Sequence, residues 1–463
     1  EMMRKHPRCI GGFLWVLADE GVKRVDMDGF IDNQGNFGAD GIVGPHHEKE
    51  GSYYTIKQLW SPVQIMDTSV DRQFDGKLSV ENRYDYLNLN TCRFLWKQVK
   101  FPLATDVPNA GTKVVKQGEV QGSDIAAHSA GILDLKTTIL PDADALFVTA
   151  VDKYGHELWR WTFPIDKLNQ VKEELSPLSG KATYTETDND LTVKANNHTF
   201  VFSKKDGQLK GVSVNNRKIS FANGPRFIGA RRADRSLDQF YNHDDEKAKE
   251  KDRTYSEFSD AAVFTKLDVR EDGGNLIITA NYKLGNLDKA QWTINPSGIV
   301  TLDYTYNFSG VVDLMGICFD YPEEQVISKR WLGAGPYRVW QNRIHGTQYD
   351  IWENDYNDPI PGETFTYPEF KGYFGDVSWM NIRTKEGTIS LTNETPGTYI
   401  GIYQPRDGRD RLLYTLPESG ISILNVIPPV RNKVNSTDLC GPSSQPKWVN
   451  GPQTGRIVFR FTE

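Results

Sequence analysis

The sequence predicts a mainly β protein that opens on a single β/α unit and continues as two successive units of antiparallel sheet. Three observations carry this reading. The run Ile10-Gly11-Gly12-Phe13-Leu14-Trp15 is apolar without alternation, as in a strand buried on both faces. The stretch from Glu48 to Trp60 sets Tyr53, Ile56 and Leu59 with Trp60 at helical spacing, and Ser61-Pro62 ends it. Beyond Pro62 the apolar period becomes two and stays so to the end of the chain.

Taken in order, the opening strand carries a Gly pair that lets neighbouring backbone come close, and it stops on Trp15. The loop Gly35-Asn36-Phe37-Gly38-Ala39-Asp40-Gly41 and the helical stretch complete one β/α unit. Such a unit cannot stand alone, because a single parallel strand has no partners. In residues 62–165, Leu78, Val80, Asn82, Tyr84 and Tyr86 alternate along one strand, Phe94 to Val99 form a second around Trp96, and Trp159 and Trp161 alternate on a third. This predicts an immunoglobulin-like sandwich whose aromatic residues fill the core in place of a disulfide. Residues 166–180 are charged and end in Ser, Pro and Gly, which reads as a linker with a helical turn through Leu168, Val171 and Leu175. In residues 181–463 the alternation resumes. Lys205-Asp206-Gly207 between two strand patterns signals a hairpin, and the absence of any helical stretch predicts one large antiparallel super-sandwich. Asp244 to Arg253 reads as a solvated loop.

Composition narrows the function classes. A net charge of −7 over 463 residues excludes a nucleic-acid footprint, which needs clustered Lys and Arg. No apolar run reaches the about 18 residues that would span a bilayer. Cys9, Cys92, Cys318 and Cys440 stand too far apart to suggest a zinc knuckle or a disulfide framework. The Asn-x-Ser/Thr triplets at Asn197, Asn307, Asn393 and Asn435 carry no weight without a secretory context. A targeting signal would lie before Glu1, so localisation is unreadable, with a periplasmic or secreted site favoured over a cytoplasmic one.

The Gly-Gly-Phe-x-Trp strand and the later Asn-Phe-x-x-Asp-Gly loop resemble the family 2 glycoside hydrolases of the β-galactosidase type. A second set of residues adds to this: Trp331-Leu-Gly-Ala-Gly-Pro336, Arg343, Gly346, Trp352, Tyr367-Pro368, Gly372 and Trp379 are similar to the pattern of that family's last domain. The resemblance implies that residues 1–61 are the last strand and helix of a catalytic (β/α)8 barrel, and that 181–463 form a galactose mutarotase-like super-sandwich. It implies an exo-acting retaining β-glycosidase acting on terminal β-D-galactosides, with carbohydrate as partner and homo-oligomerisation left open. A β-glucuronidase-like preference also stays open, because Leu17 stands where the family has Trp and the loop around Ser419 to Val426 lacks the galactosidase Trp. So does a non-catalytic carbohydrate-binding protein.

The resemblance also implies that both catalytic carboxylates lie upstream, so no catalytic residue is expected in this chain. Trp15 would form one wall of the sugar subsite, followed by a cis peptide to Val16 in the complete barrel. Phe37 and Asp40 would line the sugar and hold a monovalent cation; no cofactor is required, with Na or Mg admitted in the complete enzyme. Other candidates read as structural. Asn393-Glu394 lies deep in the sandwich region. Asp19 and Glu20 would point to opposite sides of a strand, which leaves Asp19 to brace the loop. Adjacent His46 and His47 diverge, so with Glu48 and Glu50 they make a surface pair opening a helix. Gly333 and Gly335 lack the third Gly of a nucleotide loop and read as a tight turn with Pro336.

Overall fold

The computed structural model describes residues 2–6, 8–32, 38, 41–106, 110–165, 180–232, 255–258, 261–355, 372–402, 416–429 and 441–463. It is almost wholly antiparallel sheet, and among the described residues no α-helix follows Trp60. No helix is long and apolar enough to cross a membrane. The linker at 166–179, the charged stretch 244–253, and Tyr367 with Pro368 lie outside the described residues.

The opening segment departs from expectation. Residues 10–15 form no strand, and Ile10 and Phe13 are fully exposed. A parallel strand is held by neighbours on both sides. Among the described residues the returning segment 38–43 supplies the hydrogen bonds, and it does so after Trp15: Ile42 and Val43 donate to Leu17 O at 3.0 and 2.9 Å, and Ala18 makes an isolated parallel bridge with Val43. Between these segments Val22–Arg24 and Phe30–Asp32 pair as a hairpin. Its turn places Asp28 and Gly29 at φ 51° and 83°, the conformation that an Asp-Gly dipeptide favours. The helix spans Gly51–Trp60, starting three residues later than Glu48 because Glu50 is still extended at φ −100°, ψ 176°. Its end at Ser61 follows from Pro62, which disfavours helical backbone before it.

Residues 63–164 build two facing antiparallel sheets. Three strands, Val63–Ile65, Lys77–Asn82 and Ser129–Asp134, face four, ordered Lys113–Gln121, Arg93–Lys100, Ala145–Val151 and Glu157–Pro164. Phe94, Trp96, Trp159 and Trp161 are buried between them with Leu78, Val80 and Leu133, so these aromatics pack the core. The strand Lys77–Asn82 stops there and does not run on to Tyr86. The buried Asn82 amide donates to Leu87 O and Ile125 O, and its oxygen accepts from Tyr84 N, which turns the chain.

The later strands form two larger sheets. One runs Val263–Asp272, Asn275–Lys283, Leu287–Ile294, Val300–Val312, Lys447–Thr462, Gly387–Asn393, Trp379–Thr384, Val326–Gly335 and Gln348–Asp355. The other runs Thr183–Glu186, Asp190–Ala195, His198–Ser203, Leu209–Val214, Ala222–Arg232, Leu314–Asp320, Ile421–Val426 and Tyr399–Ile402. The expected hairpin joins His198–Ser203 to Leu209–Val214, with Gly207 at φ 74°. Two expectations are corrected. Trp331 to Gly335 is strand and not turn: Gly335 lies so close under the Trp352 indole that a Cβ would come within 2.4 Å, and Gly333 similarly meets Gly375 O. The stretch Ile421–Val426, read from sequence as loop, is a largely buried apolar strand.

Trp292 stands near the centre of this core, with ring centroids 5.7 Å from Phe202, 6.0 Å from Phe319 and 6.5 Å from Phe459. We expect Trp292→Ala to destabilise the chain by about 3–5 kcal/mol, since the cavity left in a close-packed core collapses only partly. Urea unfolding followed by far-UV circular dichroism checks this.

Candidate functional site

The residues singled out by sequence lie on the segment after Trp15 and on the loop that returns to it. Trp15 is 76% exposed, and the Trp15–Val16 peptide is cis in this chain. Immediately beyond, Asp19 N donates to Val43 O at 3.0 Å, and Gly41 N donates to Asp19 Oδ1 at 2.8 Å. Glu20 N donates to Gly38 O at 2.7 Å. Asp19 is buried and braces the returning loop, the role its position suggested. Gly41 is obligatory there, because a Cβ would stand 2.4 Å from Asp19 N. Phe37 and Asp40 lie outside the described residues.

The other candidates are occupied structurally. His46 N donates to Glu48 Oε2, His47 turns at φ 64°, and among the described residues no group of His, Cys, Asp or Glu suits a metal ion. Asn393 is buried, donates to Thr398 Oγ1 and accepts from Thr395 N, while Glu394 pairs with Arg456 at 3.6 Å. That dipeptide is a turn element of the sheet, with its side chains committed.

One contact escaped the sequence reading. The helix Gly51–Trp60 docks on the segment Tyr337 to Gly346 through Tyr54 against Tyr337 at 5.1 Å, Thr55 Oγ1 donating to His345 O and Gly346 N donating to Gln58 Oε1. Glu50, at the head of the helix, is partly buried beside Asp19 and Arg343. Burial, reinforced by the Asp19 charge and opposed by Arg343, pushes its carboxyl up to about 8. Burial likewise lowers Arg343, with Glu50 opposing. Arg343 was visible as a motif residue, but a pairing across nearly 300 positions leaves no local sequence signal.

The sign of the pH effect follows from the raised value. Between the ordinary 4.5 and about 8 the folded state holds a proton that the unfolded state has released, so this contribution is complete below 4.5 and is lost as pH rises through 8. We expect the melting temperature to fall between pH 5 and 9, and Glu50→Gln to flatten the decline. Calorimetry across that range is the check.

Residues 194–419, within the larger pair of sheets, match the family described as beta galactosidase small chain. A β-galactosidase of Priestia megaterium is 22% identical over 436 residues, covering 86% of this chain and 39% of that protein. The β-galactosidase of Staphylococcus xylosus is 22% identical over 430 residues, covering 85% and 40%. The chain therefore spans well under half the length of these curated relatives. A galactose 1-epimerase from Lactobacillus acidophilus NCFM covers 62% of this chain and 99% of its own at 9% identity and a TM-score of 0.34, a likeness too weak to carry an argument. With most of its length aligned to such enzymes and its larger sandwich matched to their small chain, this is a β-galactosidase-related protein.

Proposed function

We propose that the chain is the C-terminal part of a family 2 exo-acting retaining β-glycosidase that hydrolyses terminal non-reducing β-D-galactosides. The observation that carries this reading is alignment to β-galactosidases over 86% of the chain. On this reading residues 1–61 are the last strand and helix of the catalytic barrel, 62–165 an immunoglobulin-like sandwich, 166–180 a linker and 181–463 a mutarotase-like super-sandwich. The unpaired, exposed apolar segment around Phe13 and Trp15 supports the first assignment, since it is suited to pairing with further barrel strands.

Retaining hydrolysis needs an acid/base and a nucleophile about 5 to 5.5 Å apart. In the proposed enzyme both come from strands that precede this chain. The chain's own part is to bind and orient. The Trp15 indole would stack on the apolar face of the pyranose and keep water from it. Phe37 O and the Asp40 carboxylate are hard oxygen donors of the kind a monovalent cation such as Na takes, and would hold such an ion beside the sugar. Asp19 would brace the returning loop through Gly41.

The experiment is release of nitrophenol from an aryl β-galactoside by the full-length protein and by the 463-residue chain at equal molarity. The full-length protein is expected to turn over, and Trp15→Ala to lower its kcat/KM by roughly 10- to 100-fold. The chain alone is expected to give none, because binding without a positioned acid and nucleophile stabilises ground and transition states alike. Turnover by the purified chain would overturn the reading.

A further inference from the structure

The pairing register leaves a cleft at one end of the larger sandwich. The strand Leu287–Ile294 stops pairing at Leu287, opposite Tyr306, whereas on the other flank Lys447–Thr462 stays paired with Val300–Val312 out to Val312. Among the described residues no strand therefore flanks 308–311 on that side, and a cleft of about 700 Å³ opens there. Its floor is apolar: the Phe258 ring packs on Phe308 with centroids 5.2 Å apart, and Phe308 in turn stacks on Phe227 at 5.9 Å. Its walls are polar. The exposed carboxylates of Glu257 and Asp288 stand with the amides of Asn286 and Asn307, and Asn286 Nδ2 is fixed by Asn307 O at 2.8 Å.

The rim continues onto the outer face of the sheet. Asn307 and Ser309, which line the cleft, alternate outward with Val311, and their register partners across the ladder are Pro452, Asn450 and Trp448. Ser309 Oγ donates to Asn450 Oδ1 at 2.7 Å, and Trp448 lies two residues further along the same face, about 7 Å away. Trp448 is 71% exposed on a paired, rigid ribbon.

We propose that this cleft and Trp448 form a binding site for a β-linked oligosaccharide, with the indole as stacking platform and Asp288, Glu257 and Asn307 receiving sugar hydroxyls. An aromatic face beside carboxylate and carboxamide groups matches a ligand that is apolar on the faces of its rings and hydroxyl-rich at their edges. Two carboxylates disfavour phosphates and other anions. The site goes beyond the catalytic reading and does not depend on it.

The test is isothermal titration calorimetry of the 463-residue chain with galactotetraose and cellotetraose, and of its Trp448→Ala and Asp288→Asn variants. The expected result is saturable binding of at least one tetrasaccharide, weakened about tenfold or more by each substitution. Both positions are exposed, so melting temperatures should be unchanged, and a variant that binds less while melting normally supports the site. Failure of both sugars to bind saturably, or binding that survives both substitutions, overturns it. The catalytic reading fails on turnover and this one on binding by the chain alone, so the two are separable.

Discussion

The larger sandwich depends on where the last strand goes. Lys447–Thr462 does not add at an edge; it inserts between Val300–Val312 and Gly387–Asn393 and pairs with both. Residues separated by well over a hundred positions are thus held in one ladder, and the inward side chains Ile457, Phe459 and Phe461 enter the core beside Phe221, Trp292 and Phe319. Close packing makes the fit exacting. A Cβ at Gly455 would come 2.2 Å from the buried Tyr304 ring, so the strand can lie flat there only with glycine. Its partner Val300–Val312 runs on past the last pair with Leu287–Ile294, and Lys447–Thr462 follows it out to Val312; that overhang borders the cleft beside Phe308 and carries the exposed Trp448.

The smaller sandwich is joined to the larger one by a mixed seam that also protects an edge. Gln348–Asp355 ends the nine-stranded order and would present unpaired backbone to solvent. It is met by Glu157–Pro164, where Thr162 Oγ1 accepts from Tyr349 N at 2.8 Å and Arg160 engages both Gln348 and Asp350. Beside these bonds Phe101, Phe147, Leu332, Tyr349 and Trp379 form a small apolar core shared by the two sandwiches. The Trp379 indole donates to Pro102 O, so even the largest ring of the seam has its polar atom satisfied. Titratable groups complete the join at the helix, where Glu50 and Arg343 each oppose the other's shift from burial.

This arrangement gives the opening segment its character. Asp19 and Gly41 hold the turn after Trp15, while among the described residues no strand pairs with the apolar residues before it. On the proposed reading this segment is one β/α unit of a barrel, and a parallel strand of that kind takes its hydrogen bonds from neighbours on both sides.

Local pattern determined a great deal by itself. The switch of period at Pro62, the Lys205-Asp206-Gly207 hairpin, the helix ending at Ser61 and the burial of Trp96, Trp159 and Trp161 all follow from interactions within a few residues, and all stand in the structure. Asp19 as a brace was legible for the same reason. The hairpin at Asp28-Gly29 was equally local and went unread. What only tertiary structure decided are the matters of register and long-range neighbours. Gly333 and Gly335 mark close approach to Gly375 and Trp352 within a strand, although two glycines before a proline read as a turn. Glu50 beside Arg343, and Trp448 beside the cleft at Phe308, depend on which strands pair and where each pairing stops. The alternation of side chains along a strand records which face is buried, but it carries no address for the partner, and the partner decides where a site can form.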